Sequence, residues 1–357
     1  MAPIDLADPG APHSTGAQAY RALATRRVAL LGVIVAALAL TVALDMALGP
    51  ANYPLGQVVA ALFDPESVDV QRRVVIWSIR MPIALLAVVT GAALSVAGAQ
   101  MQTILGNPLA SPFTLGISAA ASFGASLSIV AGFGVAGALA WAVPLNAFLM
   151  AMAAALIIHF ASGMRGVAVE TIVLLGIALV FTFNAALALM QFLASEQALG
   201  AVVFWTMGSL TKATWPKVAI IAVVLAVVLP LMMRQAWALT TLRLGEDKAA
   251  AMGIDVRRLR LQVMLLVALL AAVPVAFVGT IGFVGLVGPH IARMLVGEDQ
   301  RFFLPASALA GAVMLSATSV LSKTLIPGAI LPVGVVTALV GVPFFVTLIF
   351  TNRRRAW

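Results

Sequence analysis

Ten apolar stretches, about residues 28–48, 80–105, 113–134, 141–161, 169–194, 216–233, 261–279, 281–296, 303–322 and 332–350, run through this sequence almost without charged side chains. Nothing else in the sequence constrains the fold as strongly. A charged side chain at the centre of a bilayer costs about 2.5–3.5 kcal/mol on insertion scales, and about 20 apolar residues span the hydrocarbon as a helix. Only 10% of the 357 residues are charged and 62% are hydrophobic, whereas soluble domains carry about 25% charged residues. The expected fold is an all-α polytopic membrane protein with ten transmembrane helices. The run 281–296 is short for a bilayer, so neighbouring helices are expected to shield it.

Charge placement sets the orientation. Arg21, Arg26 and Arg27 precede the first run, which places the amino terminus in the cytoplasm. Ten spans return the carboxyl terminus to the same side. Fifteen of the Lys and Arg residues then fall inside, and six, Arg72, Arg73, Arg80, Lys212, Lys217 and Lys323, fall outside. Residues 1–27 are expected to be a disordered cytoplasmic tail, 28–350 the membrane domain and 351–357 a second cytoplasmic tail. Within the external segment 49–79, "LGQVVAALF" has the pattern of a short interfacial helix.

One polar stretch interrupts the middle of the chain, Leu242–Arg260, "LRLGEDKAAAMGIDVRRLR". Its charges place it in water, on the cytoplasmic side by the same count. Gly245 stands at an N-cap, Glu246 and Asp247 occupy a first turn where the helix dipole favours anions, and Lys248, Ala249, Ala250, Ala251 and Met252 are strong helix formers. Gly253 is placed as the residue after the C-cap, and Asp255 caps a second helix from which Arg257, Arg258 and Arg260 lead into the next run. Two readings stand on the pattern alone: a solvated loop with a stop-transfer cluster, or a docking element for a cytoplasmic partner.

The chemistry that is missing narrows the function. There is no cysteine, so disulfides, thiolate ligands and cysteine catalysis are excluded, and His13, His159 and His290 lie far apart in sequence. No cofactor is expected. The net charge of +8 comes from basic residues flanking apolar runs, with no dense basic face, so nucleic acid is not an expected partner. Asp45, Arg80 and Glu170 all fall near span ends. Ion-coupled carriers keep ionisable groups at mid-membrane depth, so energy is expected to come from another subunit. Ser316, Ser319 and Ser322 lack a catalytic partner and are expected to be helix-contact hydroxyls.

Small and polar residues mark packing faces. Gly91, Ser95, Gly98 and Gln102 share one face of the second span, and Gly279, Gly282, Gly285 and Gly288 repeat every three residues around a tight reversal. Asn107-Pro108 and Ser111-Pro112 make a short rigid turn. In the fifth span Thr182, Asn184 and Gln191 either line a polar pathway or hydrogen-bond between helices.

Five segments, "GAALSVAGAQMQTILGNPLASPFTLGIS" (91–118), "WTMGSL" (205–210), "LGEDKAAAMGIDVRRLR" (244–260), "GTIGFVGLVGPHIARMLVGEDQR" (279–301) and "LPVGVVTALVGVPFF" (331–345), resemble in order and register the motifs of the FecCD/BtuC-type permeases. These are membrane subunits of ABC importers for ferric siderophores, haem and vitamin B12. The resemblance implies a BtuC-like homodimer of ten-helix subunits in the inner membrane, two cytoplasmic ABC ATPase subunits, and a periplasmic substrate-binding protein. It casts 242–260 as the coupling helices that enter the ATPase. It also implies a pathway along the dimer axis lined by the fifth and tenth spans, which favours Thr182, Asn184 and Gln191 as pathway residues. Family members dock the binding protein through arginines in an R-x-P-R pattern and another before the tenth span. Here Arg80 is kept, Ile83 stands at the second position and Lys323 replaces the later arginine, so Arg80 and Lys323 are expected to dock with help from Arg72 and Arg73. An iron chelate is the expected solute, with cobalamin the alternative.

Overall fold

The computed structural model describes residues 16–132, 139–164 and 169–351. Those residues fold into fifteen α-helices with one π-helical stretch and no strand among them. Residues 1–15 with His13, the 165–168 segment with Arg165, and residues 352–357 with Arg353, Arg354 and Arg355 lie outside the described residues.

All ten apolar runs correspond to helices: α1 (Gly16–Ala47), α4 (Met81–Ile104), α5 (Ile117–Ala131), α6 (Leu139–Ser162), α7 (Val169–Leu193), α9 (Trp215–Arg234), α12 (Val256–Val278), α13 (Val284–Val296), α14 (Gln300–Thr324) and α15 (Val333–Thr351). Seven are long and apolar enough to cross a membrane; those in 117–131, 284–296 and 333–347 are shorter. The chain is thus a multi-pass membrane protein. Short elements join the long ones: α2 (Leu55–Phe63), α3 (Val70–Val74), α8 (Glu196–Thr206), α10 (Ala236–Leu242) and α11 (Glu246–Ala251). The end that carries α11 is called the inner end below, and the end that carries α2 and α8 the outer.

Three differences from the expected boundaries have local causes. Helix α1 begins at Gly16, ahead of the apolar run, because the following "AQAYRALATRR" contains no Gly or Pro and is rich in good helix formers. Helix α4 is entered from Val70 without a break, through α3 and the π-helical Val75–Arg80. Asp69 starts it, its carboxylate accepting from the Arg72 N–H at 2.8 Å. Helix α8 was not expected, although Ser195 is an N-cap whose hydroxyl accepts from the Ala198 N–H and Glu196 sits in the first turn.

Helix α4 is the centre of the bundle, buried along most of its length against α14, α12, α13 and α9. Its small face makes this possible. A side-chain carbon at Gly98 would overlap the Gly285 carbonyl, and one at Gly91 would overlap the Gly311 carbonyl, so backbone meets backbone at both points. Between them Ser95 Oγ donates to the Ser307 carbonyl at 2.6 Å. Short helix α13 is shielded by α4, α14 and α15, as its length demanded. Ser316, Ser319 and Ser322 are buried in α14.

Candidate functional site: a braced polar helix

The polar stretch folds as its pattern dictates. Gly245 (φ +111) starts α11 in a conformation closed to most side chains, and Gly253 (φ +83) ends it in the left-handed region. The Gly253 N–H donates to the Ala250 carbonyl at 2.9 Å and the Ile254 N–H to the Ala249 carbonyl at 3.1 Å, a complete Schellman stop. Asp255 then caps α12, accepting from the Arg258 N–H at 2.9 Å. Ala249 is fully buried, whereas Leu244, Glu246, Asp247, Lys248, Ala250, Ala251, Met252, Arg257 and Arg258 are exposed.

Six residues are too few for an autonomous helix, so side-chain ties must hold α11 in place. Glu246 pairs with Arg260 on α12, and the Arg257 guanidinium donates to the Gly163 carbonyl at the end of α6. On the other flank Arg243 makes a two-pronged pair with Glu298, which also forms an ion pair with Arg293 of α13 at 3.1 Å. Arg293 in turn donates to Gln102 Oε1 at 2.8 Å, which reaches the central helix. Beside it Gln100, Gln300 and Thr103 form a buried chain of hydrogen bonds at 2.8 and 3.1 Å, and the Gln300 N–H donates to Thr240 Oγ1 of α10. Asp299 caps α14 and pairs with Arg301 at 2.8 Å and with Arg27 of α1 at 3.5 Å. Burial pushes the Asp299 carboxyl up, but the hydrogen bonds and charge of Arg301, with the charge of Arg27, hold it below the ordinary carboxylate range.

Movement of α11 would therefore be felt directly by α12 through Glu246, and by α6 and α13 through Arg257 and Arg243 on its flanks. Arg243, Arg293, Glu298 and Gln300 were missing from the expected site. Their signal was the "GEDQR" at the end of the fourth motif: an acidic pair between two helices, with arginines on either side, has to find partners at one membrane face.

At the outer end two of the expected docking residues are largely buried within the protomer. Arg80 is only 6% exposed; its guanidinium donates to the carbonyls of Met46 (2.6 Å), Ala47 (2.8 Å) and Ala51 and lies 4.5 Å from the centre of the Tyr53 ring. Lys323 is paired with the fully buried Asp45 at 2.7 Å. Both cations tie α1 to α4 and α14 inside the protomer, so neither stands free on the outer surface. Burial is the reason: an Asp at the end of one apolar helix needs a counter-charge, and Lys323 is in reach. Arg72 and Arg73 remain half-exposed, Arg72 paired with Asp69 at 3.4 Å.

Thr182, Asn184 and Gln191 lie on α7, with Thr182 and Asn184 exposed and Gln191 half-buried. Thr182 Oγ1 donates to its own helix at Ala178, and among the described residues the other two side chains have no hydrogen-bond partner. The protomer does not gather them with other polar groups. The same helix exposes Phe181, Leu189 and Phe192, and α15 exposes Leu339, Val342 and Val346. A cavity of about 800 Å³ lies among α4, α12, α13 and α15, lined by Phe113, Thr206, Phe283 and Leu339 among others. His290 packs edge-on against Phe344 with ring centres 6.0 Å apart. Among the described residues no three His, Asp or Glu side chains converge as a metal site.

Residues 29–351 match the FecCD transport family. An ABC transporter permease of Methanocaldococcus jannaschii is 38% identical over 95% of this chain and 99% of its own length. The haemin transport system permease of Yersinia pestis is 38% identical over 78% of this chain and 84% of its own, and the vitamin B12 import permease of Vibrio cholerae is 35% identical over 78% and 83%. Among solved structures, an inward-facing metal-chelate type ABC transporter superposes with a TM-score of 0.80 at 29% identity, covering 90% of this chain and 99% of that one. With the matched region spanning nearly every helix that builds and braces α11, this chain belongs to the FecCD transport family and is a permease subunit of an ABC importer.

Proposed function

We propose that the chain is the passive, membrane-embedded half of an ATP-driven importer in the inner membrane, moving an iron chelate, a ferric siderophore or haem, from periplasm to cytoplasm. One observation carries this reading: α11 is bounded by Gly245 and Gly253, presents Ala250 and the flanking Leu244 and Met252 to solvent, is tied by Glu246 to Arg260 of α12, and is flanked by Arg243, which pairs with Glu298. Such an element transmits force and performs no chemistry. ATP is hydrolysed by a separate subunit that grips Gly245–Gly253, with Arg257 and Arg258 at the base of the contact. Two copies of the chain pair through the apolar surfaces of α7 and α15, with Thr182, Asn184 and Gln191 along the pathway between them. A periplasmic binding protein docks at the outer end against Arg72 and Arg73. The names of the haemin relative and of the metal-chelate structure support an iron chelate; the vitamin B12 relative keeps cobalamin as the second reading.

The test is purification of the tagged chain from its native membrane, followed by reconstitution. The expected outcome is an equimolar complex with an ATPase subunit and uptake of a ferric chelate that requires ATP. Uptake by the isolated chain under an ion gradient would overturn the proposal in favour of a secondary carrier.

A further inference from the structure

A second pocket, of about 680 Å³, opens at the outer end among α6, α8, α9 and α12. The only charged side chains lining it are Lys212 and Lys217, and among the described residues neither is in an ion pair. Lys217 Nζ donates to the Lys212 carbonyl at 2.7 Å, which holds it at the rim. The Ser209 and Thr211 hydroxyls, 2.8 Å apart, stand on the same wall. The lining also includes the aromatic side chains of Phe204, Trp205 and Phe277. Two ammonium groups without a carboxylate repel each other, and an anion between them relieves that repulsion.

The pocket shares a wall with the apolar cavity. Phe204, Trp205, Ser209, Val278 and Pro332 face the pocket, while Thr206, Met207, Thr280 and Gly334, from the same three segments, face the cavity. Between the two spaces the Ser209 N–H donates to the Val278 carbonyl at 2.7 Å, and Gly208, Gly279 and Gly334 let the three backbones touch.

We infer that Lys212 and Lys217 form a binding site for the acidic groups of an organic anion that has an apolar body, a carboxylate-bearing chelate resting on Phe204, Trp205 and Phe277. This deepens the importer reading by naming a class of solute, and it rests on that reading. Ferric coproporphyrin, a tetracarboxylate on an apolar ring, serves as the probe, and cyanocobalamin, which has no free carboxylate, as the control. Binding of each is measured by fluorescence quenching on the full chain in phosphatidylcholine nanodiscs.

Lys212→Gln/Lys217→Gln is expected to weaken coproporphyrin binding about tenfold or more, the worth of a charge-assisted contact, and to flatten its salt dependence. Lys212→Arg/Lys217→Arg should retain it, and cyanocobalamin should be unaffected. No coproporphyrin binding by the wild type, unchanged binding by the Gln variant, or equal loss for cyanocobalamin would overturn the inference. So would full suppression of wild-type binding by phosphatidylglycerol nanodiscs, which would assign the lysines to a lipid phosphate. The measurement needs neither ATPase nor nucleotide, so absent ATP-driven uptake beside intact lysine-dependent binding would count against the importer reading alone.

Discussion

Lys323 and Asp45 illustrate how a residue's role depends on what surrounds it. The family resemblance led to the expectation that Lys323 docks a partner; in the structure it pairs with a fully buried carboxylate. Removing one member of a buried pair strands the other, at a cost of about 3–5 kcal/mol, whereas removing both is far milder. Lys323→Met is therefore expected to lower the thermal stability of the purified chain markedly, and Asp45→Asn/Lys323→Met to recover most of it. A fully stable Lys323→Met that only loses affinity for a binding protein would restore the docking role. Asp299 gives a pH-dependent counterpart. Its carboxyl lies below the ordinary range, so its contribution is complete above the unfolded pKa and is lost as pH falls through the folded one. Thermal melts should show Asp299→Asn, which keeps the cap, losing about 0.2–1 kcal/mol per ion pair near neutral pH. The variant's deficit should shrink as pH falls through the carboxyl's depressed folded-state range.

At the scale of the helix, close approach governs the centre of the bundle. Gly98→Leu is expected to abolish folded yield, read by size-exclusion chromatography in detergent, because the new side chain would occupy the Gly285 carbonyl's position. The same substitution at Gly32, whose surroundings are open, should be tolerated. The small-residue face of α4 and both caps of α11 were legible in the sequence, because each depends on contacts within a few residues or on a periodic pattern. The interior positions of Arg80 and Lys323 were not legible. Their partners, the carbonyls after Asp45 and Asp45 itself, are 29–34 and 278 residues away along the chain. The tie from Arg243 through Glu298 to Gln102 was hidden for the same reason. Helix α8 was hidden by its shortness, although its cap was in plain view.

For the whole molecule, the division of labour follows from where charges are absent. Among the described residues the buried Asp45–Lys323 pair lies toward the outer end, and the larger ion-pair network concentrates at the inner end around α11. Force applied there has rigid routes into α4, α12 and α13. The central claim is that this chain converts an ATPase's motion into transport through α11. Its most direct test is the initial rate of ATP-driven ferric-chelate uptake by the reconstituted transporter carrying Ala250→Arg, which places a long cation on the exposed face of α11 without touching the core. Uptake is predicted to fall to background while the chain remains folded and dimeric; uptake at the wild-type rate would contradict the claim.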